Sequence, residues 1–307
     1  MTRKYLKHLV LFFLAASAIV GAADEYKEDD YVKLYKIGSG DFGAVSKIEE
    51  KKTGKIYILK TQKSDCHVYV RNEINALKQL DHPNIVKMMA CSDITRRRRN
   101  EPFHIVLEHM PCDLDQAIKN HPEIKENTRE ILYQILSGVA HIHSKKLAHG
   151  DIKPANILID PTTMSVKICD FGCCRVMREE ENFWGLSMDG YHKDVLDVVT
   201  LMVCLYLPTG PFLDLVSFSM SSMDKVDGFF EAQRNGVLQP KNKLGRVYKK
   251  MKGAISENGL DLFLQLIASE KKGDTPSLQI CWNTRSSQRG TSKDPLPEEP
   301  KQRVFLS

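Results

Sequence analysis

From Tyr31 the chain alternates apolar and polar residues in short runs: YVKLYKIG, AVSKIEE and KIYILKTQ. Alternation over about four to eight residues is the period of a half-buried strand. Turn signals at Gly38-Ser39-Gly40 and Thr53-Gly54 separate the runs, so the three read as an antiparallel meander. In VRNEINALKQL the period changes, and Ile74, Leu77 and Leu80 recur at helical spacing. DHPNIV ends that helix, because proline cannot continue it. FHIVLEHM reads as a further strand. Beyond it helical patterns dominate. ENTREILYQILSGVAHIHSKK sets Ile131, Leu132, Ile135, Leu136 and Val139 on one face. LDVVTLMVCLYL is almost wholly apolar and predicts a buried helix, and GLDLFLQLIASE predicts an amphipathic one. A small β-rich lobe over 31–109 therefore precedes a larger helical lobe over 110–282, in the α+β class, with the join near Glu108 to Asp113. From 283 to 307 large apolar residues are few, and a disordered tail is expected.

Composition adds little to that picture. The 307 residues suffice for one two-lobed domain or two small ones. A formal charge of +5 is modest for this length and argues for neither a nucleic-acid nor a membrane partner. The run Arg96 to Arg99 reads as a solvated loop, with a processing site as the alternative.

The first residues have another pattern. Arg3, Lys4 and Lys7 precede an apolar run from Leu9 to Val20, and Gly21, Ala22 and Ala23 follow. Basic, apolar and small residues in that order are the pattern of a secretory signal peptide over 1–23, cleaved near Ala22 or Ala23. The run is short of the roughly twenty residues a membrane span requires. The expected location is the secretory pathway, lumenal or secreted, with no stable membrane association after cleavage. A cytoplasmic location follows if the segment is not a working signal. The eight cysteines, Cys66, Cys91, Cys112, Cys169, Cys173, Cys174, Cys204 and Cys281, are irregularly spaced. Buried free thiols and one or two bridges both fit them. No Asn-x-Ser/Thr sequon is present.

Chemistry enters with IGSGDFGAV. Gly38, Gly40 and Gly43 form a G-x-G-x-x-G pattern followed by Val45. A strand rather than a helix follows, so this is a hairpin whose bare tip can lie on phosphates, not a dinucleotide turn. Lys60 closes the apolar run IYILK and needs a charged partner, for which Glu73 on the next helix is the candidate. LAHGDIKPANILID then crowds Asp151, Lys153 and Asn156 beside a run that reads as a buried strand. A second acid, Asp170, follows in KICDFG.

These motifs, in this order, make the chain resemble the eukaryotic protein kinases from Tyr31 to about Trp282. The hinge LEHMPCDLDQAI looks most like the cyclin-dependent branch. The resemblance implies a two-lobed kinase fold and an ATP- and Mg²⁺-dependent transfer of the γ-phosphoryl group to Ser/Thr hydroxyls of a protein substrate. It implies Asp151 as the base for the attacking hydroxyl and Lys153 as a cation on the moving phosphoryl group. Asn156 and Asp170 would hold Mg²⁺, an ion that prefers hard oxygen ligands. Val45 and Ile58 would cover the adenine and Leu158 would lie beneath it. Backbone groups of Glu108 and Met110 would bind its edge, with Leu107 behind it and Asp113 near the ribose.

The chain also departs from the family. Ile58 stands where alanine is usual and would crowd the adenine. Gly150 stands where an arginine usually precedes the catalytic aspartate, so phosphorylation of the activation segment is not expected to be the switch. The Ala-Pro-Glu motif is absent, and so is the arginine expected after LFLQLIASEKKGD. The interval from Asp170 to Asp197, matched to the acid opening the buried lower-lobe helix, is short. A kinase-fold module that binds nucleotide or a partner with little transfer is therefore the alternative. Oligomeric state, substrate and regulator are not legible.

Overall fold

The computed structural model describes residues 23–40, 43–95, 101–177, 190–207 and 243–268. The leader expected over 1–23 falls outside them except for Ala23, as do the Arg96–Arg99 run, most of the FWGLSMDGYHKD interval and the tail from 283.

A six-stranded sheet builds the small lobe. Its strands are β1 (Asp24–Glu25), β2 (Tyr31–Gly40), β3 (Gly43–Glu50), β4 (Ile56–Gln62), β5 (Met88–Cys91) and β6 (Phe103–Glu108). The spatial order is β1-β5-β6-β4-β3-β2. Strands β2, β3 and β4 pair antiparallel in sequence order, as the alternation predicts. Two details differ. Strand β4 runs two residues beyond Lys60, and the sheet begins upstream of Tyr31, because Asp24–Glu25 pairs parallel with Ala90 and Cys91.

Period-2 geometry gives the sheet two apolar faces. In β6, Phe103, Ile105 and Leu107 join the main core, while Val106 faces a smaller cluster with Ile48, Leu59 and Ala90. Against the main face lies helix α1 (His67–Leu77), which buries Val70, Ile74 and Leu77. It ends before His82-Pro83, as the proline requires.

The second lobe starts with strand β7 (Cys112–Asp113) and helices α2 (Leu114–Asn120), α3 (Glu123–Glu126) and α4 (Thr128–Ser144). Helix α4 buries Ile131, Leu132, Ile135, Leu136, Val139 and Ile142 on one face. Strand β8 (Leu147–Ala148) follows, then β9 (Ile157–Asp160), β10 (Ser165–Ile168) and β11 (Arg175–Val176). Strands β9 and β10 form an antiparallel hairpin with Ile157, Ile159, Val166 and Ile168 fully buried. Helix α5 (Gly190–Tyr206) is buried on nearly every side, as its composition predicts. Helices α6 (Lys243–Ala254) and α7 (Glu257–Ala268) pack on it. No helix among the described residues is long and apolar enough to cross a membrane.

The lobes are joined by more than the hinge. Asn84, just past α1, donates from Nδ2 to the Val166 carbonyl at 2.9 Å and to Gln134 Oε1 at 3.0 Å. The Ile168 amide donates to the Asn84 carbonyl, and the Val86 amide to the Ile168 carbonyl, both at 2.9 Å. This ladder fixes the small lobe to the strand that ends two residues before Asp170.

Candidate active site

A cleft of about 480 Å³ opens between the lobes. Gly38, Val45, Ile58 and Lys60 line it from the sheet, and Glu73 from α1. Leu107, Glu108, Met110 and Asp113 line it from the hinge, and Asn156, Leu158 and Asp170 from the second lobe. The motifs dispersed over the sequence are thus brought to one cavity. Gly40, Gly43, Asp151 and Lys153 are not in its wall.

Glycine at 43 has a local cause. Its φ is +152°, and a Cβ there would run into the Thr61 carbonyl of the neighbouring strand. The close pairing of β3 with β4 therefore excludes a side chain, whatever lies over the hairpin tip.

Lys60 does find Glu73. Its Nζ lies 2.8 Å from Glu73 Oε2 and 3.0 Å from Oε1, and 2.7 Å from Asp170 Oδ1. Burial works against the ammonium charge, but the two carboxylates outweigh it and hold Lys60 above the ordinary lysine range. Burial also pushes up the wholly buried Glu73 carboxyl, and the ammonium opposes that push. With both carboxyl oxygens accepting from Lys60, the ion pair is the arrangement the geometry supports. Asp170 is drawn the other way. Burial would raise its carboxyl, yet Lys60 keeps it below the usual range.

The catalytic loop is internally bonded. Lys153 Nζ donates to Asp151 Oδ2 at 2.7 Å, and Asn156 Nδ2 donates to the same oxygen at 2.9 Å and to the Asp151 carbonyl at 2.8 Å. The bond that Lys153 donates to Asp151 holds its pKa above the ordinary lysine value. With Nδ2 spent on Asp151, Asn156 keeps its side-chain carbonyl oxygen for another ligand. Asp170 is half exposed and bonds Lys60 through Oδ1, which leaves its second carboxylate oxygen to face the cleft. Two hard oxygen donors lining one cavity suit Mg²⁺, so these residues fit the expected ion.

Asp113 has a structural duty besides lining the cleft. It caps α2, accepting from the Gln116 amide at 2.8 Å. The Glu108 side chain accepts from the Lys87 amide at 2.7 Å and pairs with Lys167 at 3.0 Å, which fixes the hinge strand.

The acid of the buried helix that holds the His149 and Gly150 amides is Asp194, whereas Asp197, matched in the sequence to the opening of that helix, lies inside it. Asp194 is fully buried and accepts from the His149 amide at 2.7 Å and the Gly150 amide at 2.8 Å. Its Oδ2 also lies 3.0 Å from His143 Nε2. Asp197, nearly one turn later, pairs with Lys193 at 2.7 Å and accepts from the Ile152 amide. The position of the loop amides distinguishes the two acids.

His149 also escaped the sequence reading as a site residue. It is completely buried, and its ring meets Phe171 edge-on at 4.8 Å. Nδ1 accepts from the Asp151 amide at 3.2 Å, which leaves Nε2–H to donate to the Cys169 carbonyl at 3.0 Å. Those two bonds require the neutral ring, and burial lowers its pKa in agreement. The seven cysteines among the described residues are all free thiols. Burial raises Cys174 to about 12.

A β-rich lobe, a helical lobe and a lysine–carboxylate cleft between them define the two-lobed kinase architecture. The family model for the protein kinase domain matches residues 31–193, and the chain belongs to that family. It is 34% identical over 158 residues to a probable serine/threonine-protein kinase, the MRK1 homolog, of Encephalitozoon cuniculi (strain GB-M1). That match covers 51% of this chain and 49% of the relative, so the chain spans about half the length of the curated relative it matches.

Proposed function

We propose that the chain is a protein serine/threonine kinase that uses ATP and Mg²⁺ and transfers the γ-phosphoryl group to hydroxyls of a protein substrate. The observation that carries this reading is the Lys60 ammonium, bonded at once to Glu73 and Asp170 in a cleft that Asn156 also lines. The cleft has apolar walls for a base at Val45, Ile58 and Leu158. Lys60 would meet the α- and β-phosphates. Asn156 and Asp170 would hold Mg²⁺, which neutralises phosphate charge when bound. Asp151 would take the hydroxyl proton as the new O–P bond forms, and the bond to the β,γ-bridging oxygen would break to release ADP. Lys153, at 2.7 Å from Asp151, would place its charge beside the moving group.

A second reading has a specific observation behind it. Ile58 lines the roof of the cleft where the family usually has alanine. A bulkier roof favours a module that holds nucleotide or a partner with little transfer. Incubation of the purified chain with Mg-ATP and a general protein substrate separates the two. Transfer abolished by both Asp151→Ala and Asp170→Ala supports the kinase. Nucleotide binding with no transfer supports the module.

The basic, apolar and small residues over 1–23 support entry into the secretory pathway, with cytoplasmic placement as the alternative. Sequencing the amino terminus of the mature chain decides between them.

A further inference from the structure

We infer that Asn72 is a positioning residue for the metal-binding acid: it clamps the Asp170-Phe171-Gly172 segment to helix α1 and so holds Asp170 ready for Mg²⁺. The inference rests on the kinase reading above and extends it to a residue outside the recognised motifs.

Asn72 and Glu73 are neighbours on α1, and successive helical residues point about 100° apart. One turn of the helix therefore grips two parts of the site. Glu73 holds Lys60. Asn72 Nδ2 donates to the Gly172 carbonyl at 3.2 Å.

The segment needs such a grip. Asp170 has φ 65° and ψ 71°, a left-handed conformation that is strained for a residue with a Cβ. Such a conformation persists where its surroundings over-determine it. Upstream, the Cys169 amide donates to the Asn156 carbonyl at 2.9 Å, and the Cys169 carbonyl accepts from His149. Downstream, Phe171 is completely buried, and the Gly172 carbonyl is held by Asn72. Position 150, which packs against the Cys173 backbone just beyond, is glycine and offers no side chain to hold the segment from below.

The test is ATP binding to the full chain by calorimetry, with Mg²⁺ titrated and with the metal chelated, for the unaltered chain, Asn72→Ala and Asn72→Asp. The aspartate keeps the shape but cannot donate. The half-saturating Mg²⁺ concentration is expected to rise about 3- to 10-fold in both variants, the range of one net hydrogen bond, with metal-free affinity unchanged. Equal weakening with and without metal would mean a merely structural residue and overturns the inference. So does an unchanged Mg²⁺ requirement in both variants. If the unaltered chain gains no affinity from Mg²⁺, the kinase reading itself falls, and this inference with it.

Discussion

The Gly150 amide donates to Asp194 Oδ1 at 2.8 Å, tying the residue before Asp151 to the buried helix of the second lobe. The other Asp194 oxygen takes the His149 amide. Two successive loop amides therefore rest on one carboxylate. Asp194→Ala would strand both of them in the interior. The expected loss is about 2 kcal/mol of stability or more, the sum of two unsatisfied buried donors at the lower end of their range. Denaturant unfolding measures it. Asp197→Ala is expected to cost less, since that acid serves one amide and a half-exposed lysine. Equal losses would contradict the assignment of the anchor to Asp194.

Restoring an arginine at position 150 should harm the protein rather than repair it. Gly150 has φ +80°, and a Cβ there would sit 2.9 Å from the Cys173 carbonyl oxygen. Gly150→Arg and Gly150→Ala should each lower stability by about 1–3 kcal/mol, through strain both share. A thermal melt of the two variants checks this. A Gly150→Arg chain as stable as the parent would show that the loop shifts freely.

The Lys60–Glu73 pair should matter for folding and for nucleotide. Glu73 is completely buried and the Lys60 side chain is 17% exposed. Glu73→Ala leaves that ammonium with Asp170 alone and should cost about 3 kcal/mol. ATP affinity should fall as well, because Lys60 is no longer aimed. Lys60→Met should weaken ATP binding at least as much while costing less stability, if it leaves Glu73 protonated. Calorimetry and denaturation on the same samples separate the two effects.

Acid should destabilise the chain through its histidines. Burial lowers the pKa of His149, and likewise of His82 and His141, which stack at 4.9 Å. His82 Nδ1 accepts from the Asn84 amide at 3.1 Å, a bond the protonated ring cannot accept. A depressed folded pKa means stability that is complete above the unfolded value, about 6.5, and is lost as pH falls through the folded values. Below about 6.5 the unfolded chain binds more protons, and stability should drop by about 1.4 kcal/mol per pH unit for each extra proton. Denaturation midpoints from pH 7.5 down to 5 test this. His141→Phe keeps a ring in the stack and should flatten part of the slope. A flat profile in the parent would sink the prediction.

Much of this was readable in the residues. The alternation of YVKLYKIG, AVSKIEE and KIYILKTQ yields β2, β3 and β4 because turn signals punctuate it. The Lys60–Glu73 pairing was readable because a charge at the end of an apolar run must be answered nearby. Two-residue strands such as β7, β8 and β11 are too short for any period to show. Asp194 was hidden for a different reason. A buried acid in an apolar helix shows that something polar faces it, but the partners are backbone amides some forty-five positions away, which carry no side-chain signature. Asn72 was overlooked in the same way, since its partner is a glycine carbonyl.

The two-residue strand at Asp24–Glu25 does more than start the fold. Its pairing with Ala90 and Cys91, extended by the Tyr26 amide bond to the Cys91 carbonyl at 2.9 Å, covers one border of the sheet. Trimming through Tyr26 would uncover a row of unanswered peptide groups there. A second copy or a stray extended peptide could then zip onto that border, so a shortened preparation should self-associate where the longer one stays dispersed.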